Sequence, residues 1–357
     1  MKRTTLTLLL SCAMYSVVGQ ATPVQLSSFN NFPEDTEVDG FHASLFDSTT
    51  GTVNGFDLPI LGYSEMDQLN GFQLGLLAGS NIHNGMNGAA IGLFNWHGGY
   101  DNGLNLGIAN SVGNLYGANL GIYSAAKTVN GVNLGVATQS GDVNGFNFGA
   151  IANYTTGQVN GVNIAPFNWT QQDTNGVNFS VLNHSGNVNG VNVGALGNWS
   201  EGNINGLNLG IVNVSGNVTG ANLAPFNYSG DIVGANIGVA SMSHDVTGMN
   251  LGAVNVTNNV TGLNLGGLNV AQDVDGANIG AINVSHNVNG LNLGAVNVST
   301  GESGTDIGAF NYADTTSFQF GVVNATQHLE GLQIGVINIA TNAAVPVLPL
   351  VNFHRTF

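Results

Sequence analysis

Val288-Asn289-Gly290-Leu291-Asn292-Leu293-Gly294-Ala295-Val296-Asn297-Val298-Ser299 decides the fold of this chain, because nearly the same line is written again and again on either side of it. Numbered from its first Val, the unit reads V-N-G-L-N-L-G-A-V-N-V-S-x-N. Its third-position Gly falls at 206, 220, 234, 248, 262, 276, 290 and 304, a strict spacing of 14. Earlier units stretch, as from Gly55 to Gly71 and then Gly88. Degenerate units begin near Val38, and the series closes with Leu348-Pro349-Leu350-Val351-Asn352-Phe353. A fixed period of this kind is the mark of a repeat architecture in which each unit is one supersecondary element.

Two Gly and several β-favouring residues per unit oppose helix. Positions 4 and 6 are apolar around an Asn (Leu263-Asn264-Leu265), the alternation of a half-buried strand. Positions 9 and 11 repeat that pattern (Val254-Asn255-Val256) with opposite parity. In one continuous strand the two pairs would point to opposite faces. A corner at positions 7 and 8, where Gly252-Ala253 and Gly280-Ala281 stand and where Pro166 and Pro225 occupy position 8, lets both pairs face one interior. Positions 12 to 14 supply a second turn. The expectation is an all-β β-solenoid of ~14-residue coils stacked ~4.8 Å apart. Position 5 is Asn in twelve successive units from Asn133 to Asn292, which fits a buried amide ladder along the axis. The alternative is an outer-membrane antiparallel β-barrel of ~22 strands, each unit being one tilted strand and a turn. The terminal Phe357 favours the barrel; the parity of the apolar pairs opposes it.

Composition narrows the partners. The 357 residues carry Lys plus Arg 4 against Asp plus Glu 20, for a net charge of -16, and charged residues make up only 7%. So few cations cannot neutralise phosphates, which excludes nucleic acid and attraction to anionic lipid heads through a basic patch. Met1-Lys2-Arg3, the apolar stretch from Leu6 to Val18 and Gly19-Gln20-Ala21 read as a cleaved export signal over residues 1–21. Residues 22–37 form a lead-in or cap, and residues 38–357 a single repeat domain. Leu9-Leu10-Ser11-Cys12 faintly resembles a lipoprotein box. Cys12 is the only cysteine, so cleavage after Ala21 leaves no disulfide to hold the fold.

Gly331-Leu332-Gln333-Ile334-Gly335-Val336-Ile337-Asn338 and Gly71-Phe72-Gln73-Leu74-Gly75-Leu76-Leu77, with the Pro-containing run from Val347 to Phe353, resemble the surface-repeat-containing protein family of bacteria. The resemblance covers about nine tenths of the chain by the span of its units. Most units here carry Asn where that family carries Gln. The resemblance implies a surface or outer-membrane location and brings no catalytic residue with it.

No nucleophile elbow, HExxH, CxxC or phosphate loop occurs, so no enzyme, cofactor or metal is assigned. His184, His244, His286 and His328 are placed in the turn after the second strand as turn residues. Asp231, Asp245 and Asp273 at position 14 alternate with Asn217, Asn259 and Asn287, a pattern that Asx turns explain as well as calcium does. The candidate interaction lattice is position 10 with position 12: Asn213 and Ser215, Asn227 and Ser229, Asn255 and Thr257, Asn283 and Ser285, Asn297 and Ser299. With position 11 inward these polar pairs would point out, repeating every ~4.8 Å. Aromatics replace the aliphatic residue at position 11 in Trp169, Trp199 and Tyr228, as a wide core layer, a barrel girdle or a sugar-stacking surface. The expected function is a non-enzymatic, exported cell-surface or outer-membrane repeat protein presenting an extended β face. Its partner is a surface ligand (glycan, protein or ice) or the outer membrane. An outer-membrane pore and an ice- or glycan-binding protein using the Asn/Ser-Thr lattice are the alternatives.

Overall fold

The computed structural model describes residues 21–354. The export signal expected over residues 1–21, with Lys2, Arg3 and Cys12, lies outside the described residues apart from Ala21, as do Arg355 and Phe357. The chain is all-β, with no helix among the described residues, and forms a β-solenoid of stacked parallel coils. Asp245–Val256, Asn259–Val270 and Asp273–Ser285 pair parallel with equivalent residues opposite one another, as in Val246↔Val260↔Val274. A meander would pair neighbouring units antiparallel. The barrel is therefore excluded, and with it the ring of strands that a pore would need.

The chain divides into two compact units, one ending at Asn175 and one beginning at Gly176. In the first, the lead-in opens with the strand Thr22–Ser27, which pairs parallel with the first coil strand Glu37–Ser44. Asn31–Phe32 folds back antiparallel on Leu26 and Ser27. The second unit closes with Val347–Phe353, antiparallel to residues from Leu332 to Ile339. Both terminal segments occupy a sheet edge that would otherwise present unpaired backbone groups.

Within each coil the corner falls at positions 7 and 8, where parity places it. The sense of the coil is the reverse of the expectation. Positions 1, 5, 10 and 12 point inward, and the apolar positions 4, 6, 9 and 11 point outward. In the coil from Val260, the residues Val260, Asn264, Asn269 and Ala271 are buried, while Leu263, Leu265, Leu268 and Val270 are half-exposed. Only position 1 gives an apolar interior column, in which Val246, Val260, Val274 and Val288 belong to one buried cluster. Burial of each such Val contributes roughly 1.5–3 kcal/mol. The rest of the interior is amide and hydroxyl, and many of its rungs are paired with those of neighbouring coils.

The third-position Gly follows from the same closeness. Gly262 has φ +125, and a Cβ added there would lie 2.3 Å from the Gly248 carbonyl oxygen of the preceding coil. A side chain at this exposed third position would run into the backbone of the preceding coil, in a conformation that only Gly adopts freely.

Candidate interaction faces

The ten lattice residues do not form a surface. Asn213, Ser215, Asn227, Ser229, Asn255, Thr257, Asn283, Ser285, Asn297 and Ser299 are all buried. Asn at position 10 performs two tasks with one amide. Asn255 Nδ2 donates to Asn269 Oδ1 at 2.9 Å and to the Leu265 carbonyl at 3.0 Å. Asn269 repeats this with Asn283 Oδ1 and the Ile279 carbonyl, and Asn283 with Asn297 Oδ1 and the Leu293 carbonyl. Each amide thus satisfies its ladder neighbour and, from the inside, the position-6 carbonyl just before the next coil's corner. Ser285 and Ser299 oxygens stack 3.2 Å apart in the position-12 column. The position-5 column is likewise interior: Asn250 donates to Asn264, and Asn264 to Asn278.

The expectation failed because it matched apolar side chains with the interior. A buried Asn costs about 1–3 kcal/mol only if it is left unpaired, and an in-register stack pairs it. Leu265 and Leu268, expected inside, are consequently outside.

What faces out is apolar. On the second strand of each coil in the second unit, Trp199, Val214, Tyr228, Met242 and Val256 stand in one column, in the register Trp199↔Val214↔Tyr228↔Met242↔Val256. Beside it run Val212, Phe226, Ala240 and Val254. Trp199 is 59%, Phe226 54% and Tyr228 60% exposed. The first unit carries Phe94, Trp96, Tyr154, Phe167 and Trp169 on the corresponding positions, also exposed. The bulky position-11 residues are thus neither a core layer nor a girdle. The first strand bears a second such face, with Leu209 and Leu293 outward. Position 8 at the corner adds Ile108 and Ile122 in the first unit and Ile211, Val239, Val322 and Val336 in the second.

The opposite edge, positions 13, 14 and 2, is polar. In the second unit Glu201, Asp231, Asp245, Asp273, Asp275, Glu302, Asp314 and Glu330 all lie there, and the remaining carboxylate, Asp306, is buried. Of the four histidines read as turn residues, His244 joins Asp231 (Nδ1 to Oδ1, 2.9 Å) and Asp245 (3.6 Å), the three forming one exposed group. The Asp231 hydrogen bond and then the charge of Asp245 raise the His244 pKa above its ordinary value. Asp245 Oδ1 also accepts from Asn259 N and Nδ2, the cross-coil Asx chemistry expected of this turn. His184 and His328 depart from the expectation: His184 lies in the strand Thr174–Ser185 and reaches Glu201 at 3.3 Å, and His328 lies in the strand Val296–Ala340.

Two interior clusters were not foreseen. His42 Nδ1 meets Asp57 Oδ1 at 2.6 Å, His42 Nε2 lies 3.2 Å from Ser27 Oγ, and Gln73 Nε2 donates to Asp57 Oδ2 at 2.6 Å. His97 Nδ1 meets Asp101 Oδ2 at 2.5 Å and its Nε2 lies 2.8 Å from Ser80 Oγ. The residue types are those of an acyl-transfer triad. Their placement is that of ladder rungs: Gln25, His42, Asp57 and Gln73 occupy successive position-5 sites, and Ser80 Oγ donates to Asn95 Oδ1 in the position-10 column. The signal available in sequence was the position of His42 and Asp57 within their units, aligned with Asn264 and its equivalents. Asp306 is the corresponding carboxylate of the second unit. It accepts from Asn292 on one side and Gln319 on the other, and from Ser303 within its own coil. Desolvation raises its pKa, opposed by the three hydrogen bonds from Ser303, Gln319 and Asn292.

No family model, curated protein or solved structure matches this chain. Its class is that of a parallel β-solenoid with an amide-filled interior and apolar outer faces, and the functional reading rests on that geometry.

Proposed function

We propose that this chain is a non-enzymatic repeat protein of the bacterial cell surface or outer membrane whose extended β faces serve for interaction. The observation that carries the reading is the set of outward apolar columns, repeated once per coil, on a body whose polar ladders are turned inward. Contiguous exposed apolar surface on this scale marks an interaction site. The Asn/Ser-Thr lattice is interior, so glycan or ice recognition through those ten residues has no surface to work from. The resemblance of Gly331 to Asn338 to surface repeat proteins and the export signal read over residues 1–21 support the location.

The test is fractionation of expressing cells combined with protease treatment of intact cells. The wild-type chain should travel with the envelope and be cut from outside. A Phe226→Ser, Tyr228→Ser double variant, with an unchanged β circular-dichroism spectrum, should be released into the soluble fraction. Recovery of uncut wild-type chain in the cytoplasm, or a variant retained like the wild type, would overturn the reading.

A further inference from the structure

Resting on the interaction-face reading, we infer that the partner of the second unit is the acyl layer of a lipid leaflet, in which the solenoid lies with its position-7/8 corner down and its acidic edge in water. The apolar surface does not stop at the flat faces. It runs from positions 4 and 6 around the corner to positions 9 and 11, with Val239 55% and Val336 60% exposed at the apex itself. A second copy or a rigid flat lattice can cover one sheet face, but it leaves an apolar corner in water. A fluid apolar phase covers both faces and the corner together.

The backbone meets the requirement that lipid imposes. Apolar surroundings offer no partner to a peptide group, so every N–H and C=O must be satisfied from within. Strand hydrogen bonds run along the axis to the coils above and below, leaving only side chains on the outer faces. At the corner, Gly238 N donates to the Leu251 carbonyl, and Val239 N and Ala240 N to the Pro225 carbonyl. Asn255 and Asn269 donate to the Leu265 and Ile279 carbonyls from inside. Where both occur, as at the Ile237 and Ile307 carbonyls, the amide is a second donor beside the backbone N–H of the corner.

Charge decides which part of the bilayer is engaged. Every exposed Asp and Glu of this unit stands on the edge opposite the corner, and its described residues include no Lys or Arg. Such a surface has nothing to offer anionic headgroups and gains only by burying apolar side chains, as an interfacial amphipathic element does.

The experiment is flotation of the purified full chain with phosphatidylcholine vesicles, and with vesicles containing phosphatidylglycerol, alongside sedimentation of the lipid-free protein. The chain should float with phosphatidylcholine, with a blue shift of Trp fluorescence, and bind the anionic vesicles no better. The apex variant Val239→Asp with Val336→Asp should lower partitioning at least tenfold, while Gln272→Asp on the polar edge leaves it unchanged, both with wild-type circular dichroism. A folded wild-type chain that fails to float overturns the inference. If that chain sediments as an oligomer disrupted by Phe226→Ser with Tyr228→Ser, the faces bind a second copy and the interaction-face reading survives. If it stays monomeric and the same substitutions leave envelope association unchanged, both fail. Equal flotation of the apex variant also overturns the inference.

Discussion

The first coils and the later ones solve the same interior with different chemistry. Around Glu37–Ser44 and Ser48–Pro59 the position-5 column passes through an imidazole and a carboxylate, His42 and Asp57, while a second pair, His97 and Asp101, joins positions 12 and 1 across one turn. From Val246 to Ser299 the columns at positions 5 and 10 are amides repeated at 14 residues. The first arrangement goes with uneven unit lengths, the second with a strict period. Amide rungs also span the longer units, as from Asn95 to Asn110 and from Asn198 to Asn213, fifteen residues on. An imidazole–carboxylate hydrogen bond fixes one contact and does not need the next coil to be identical. At position 5 either chemistry provides a partner along the axis, His42 to Asp57 and Asn264 to Asn278.

The largest effect should come from splitting a buried pair. His42→Ala leaves the buried Asp57 with Gln73 as its remaining partner and should cost about 3–5 kcal/mol, read by urea unfolding or by hydrogen exchange in the flanking strands. Converting both residues to the later chemistry, His42→Asn with Asp57→Asn, should bring stability back to within about 1–2 kcal/mol of wild type, since a matched replacement leaves no orphaned charge. A double variant as damaged as the single one would mean that the two chemistries are not interchangeable rungs.

Next in size is the amide rung. Asn269→Ala removes the acceptor of Asn255 and the donor to both Asn283 and the Ile279 carbonyl. The loss should be about 2–4 kcal/mol, the cost of leaving more than one buried group unsatisfied. Leu268→Ala beside it should cost less than about 1 kcal/mol, because that side chain is half-exposed and faces out. Denaturant midpoints of the two variants, compared at equal m-value, check the order.

The smallest effect is a pH dependence. Desolvation holds the Asp306 carboxyl above its ordinary value of 3.8. Its ionised form is thus less favoured in the fold than in the unfolded chain. The group's contribution is most favourable in acid and is lost as pH rises through the folded value. Lowering the pH through that value toward 3.8 should therefore raise wild-type stability relative to Asp306→Asn. A difference that stays flat, or falls, across that window would show that the three donors outweigh burial.

Much of this was legible in the residues. The period, the parallel stacking, the corner at positions 7 and 8 and the Asn column at position 5 all follow from spacing and parity. The sense of the coil did not, because hydropathy ranks a lone Leu above a lone Asn for burial. The partner of Asn269 is Asn283, fourteen residues on, and a single unit does not display it. A clue lay in the variety at the outward sites: Gly197, Val212, Phe226, Ala240 and Leu268 all occupy position 9. A tight slot would not accept such a range of volumes, whereas positions 5 and 10 hold to Asn almost throughout the second unit.

The central claim is that polar side chains fill the coil and apolar ones coat it, and two adjacent residues test it directly. Val284 is 36% and Ser285 3% exposed, on positions 11 and 12 of one strand. With Cys12 replaced by Ser, Val284→Cys and Ser285→Cys each introduce one thiol with little change in volume, and the rate of alkylation in the native protein is measured against that in denaturant. The thiol from Val284→Cys should react within about tenfold of its denatured rate, and that from Ser285→Cys should stay protected until the protein opens. A reactive thiol at 285 beside a protected one at 284 would mean that the coil is wound with its apolar side in, and the account is wrong.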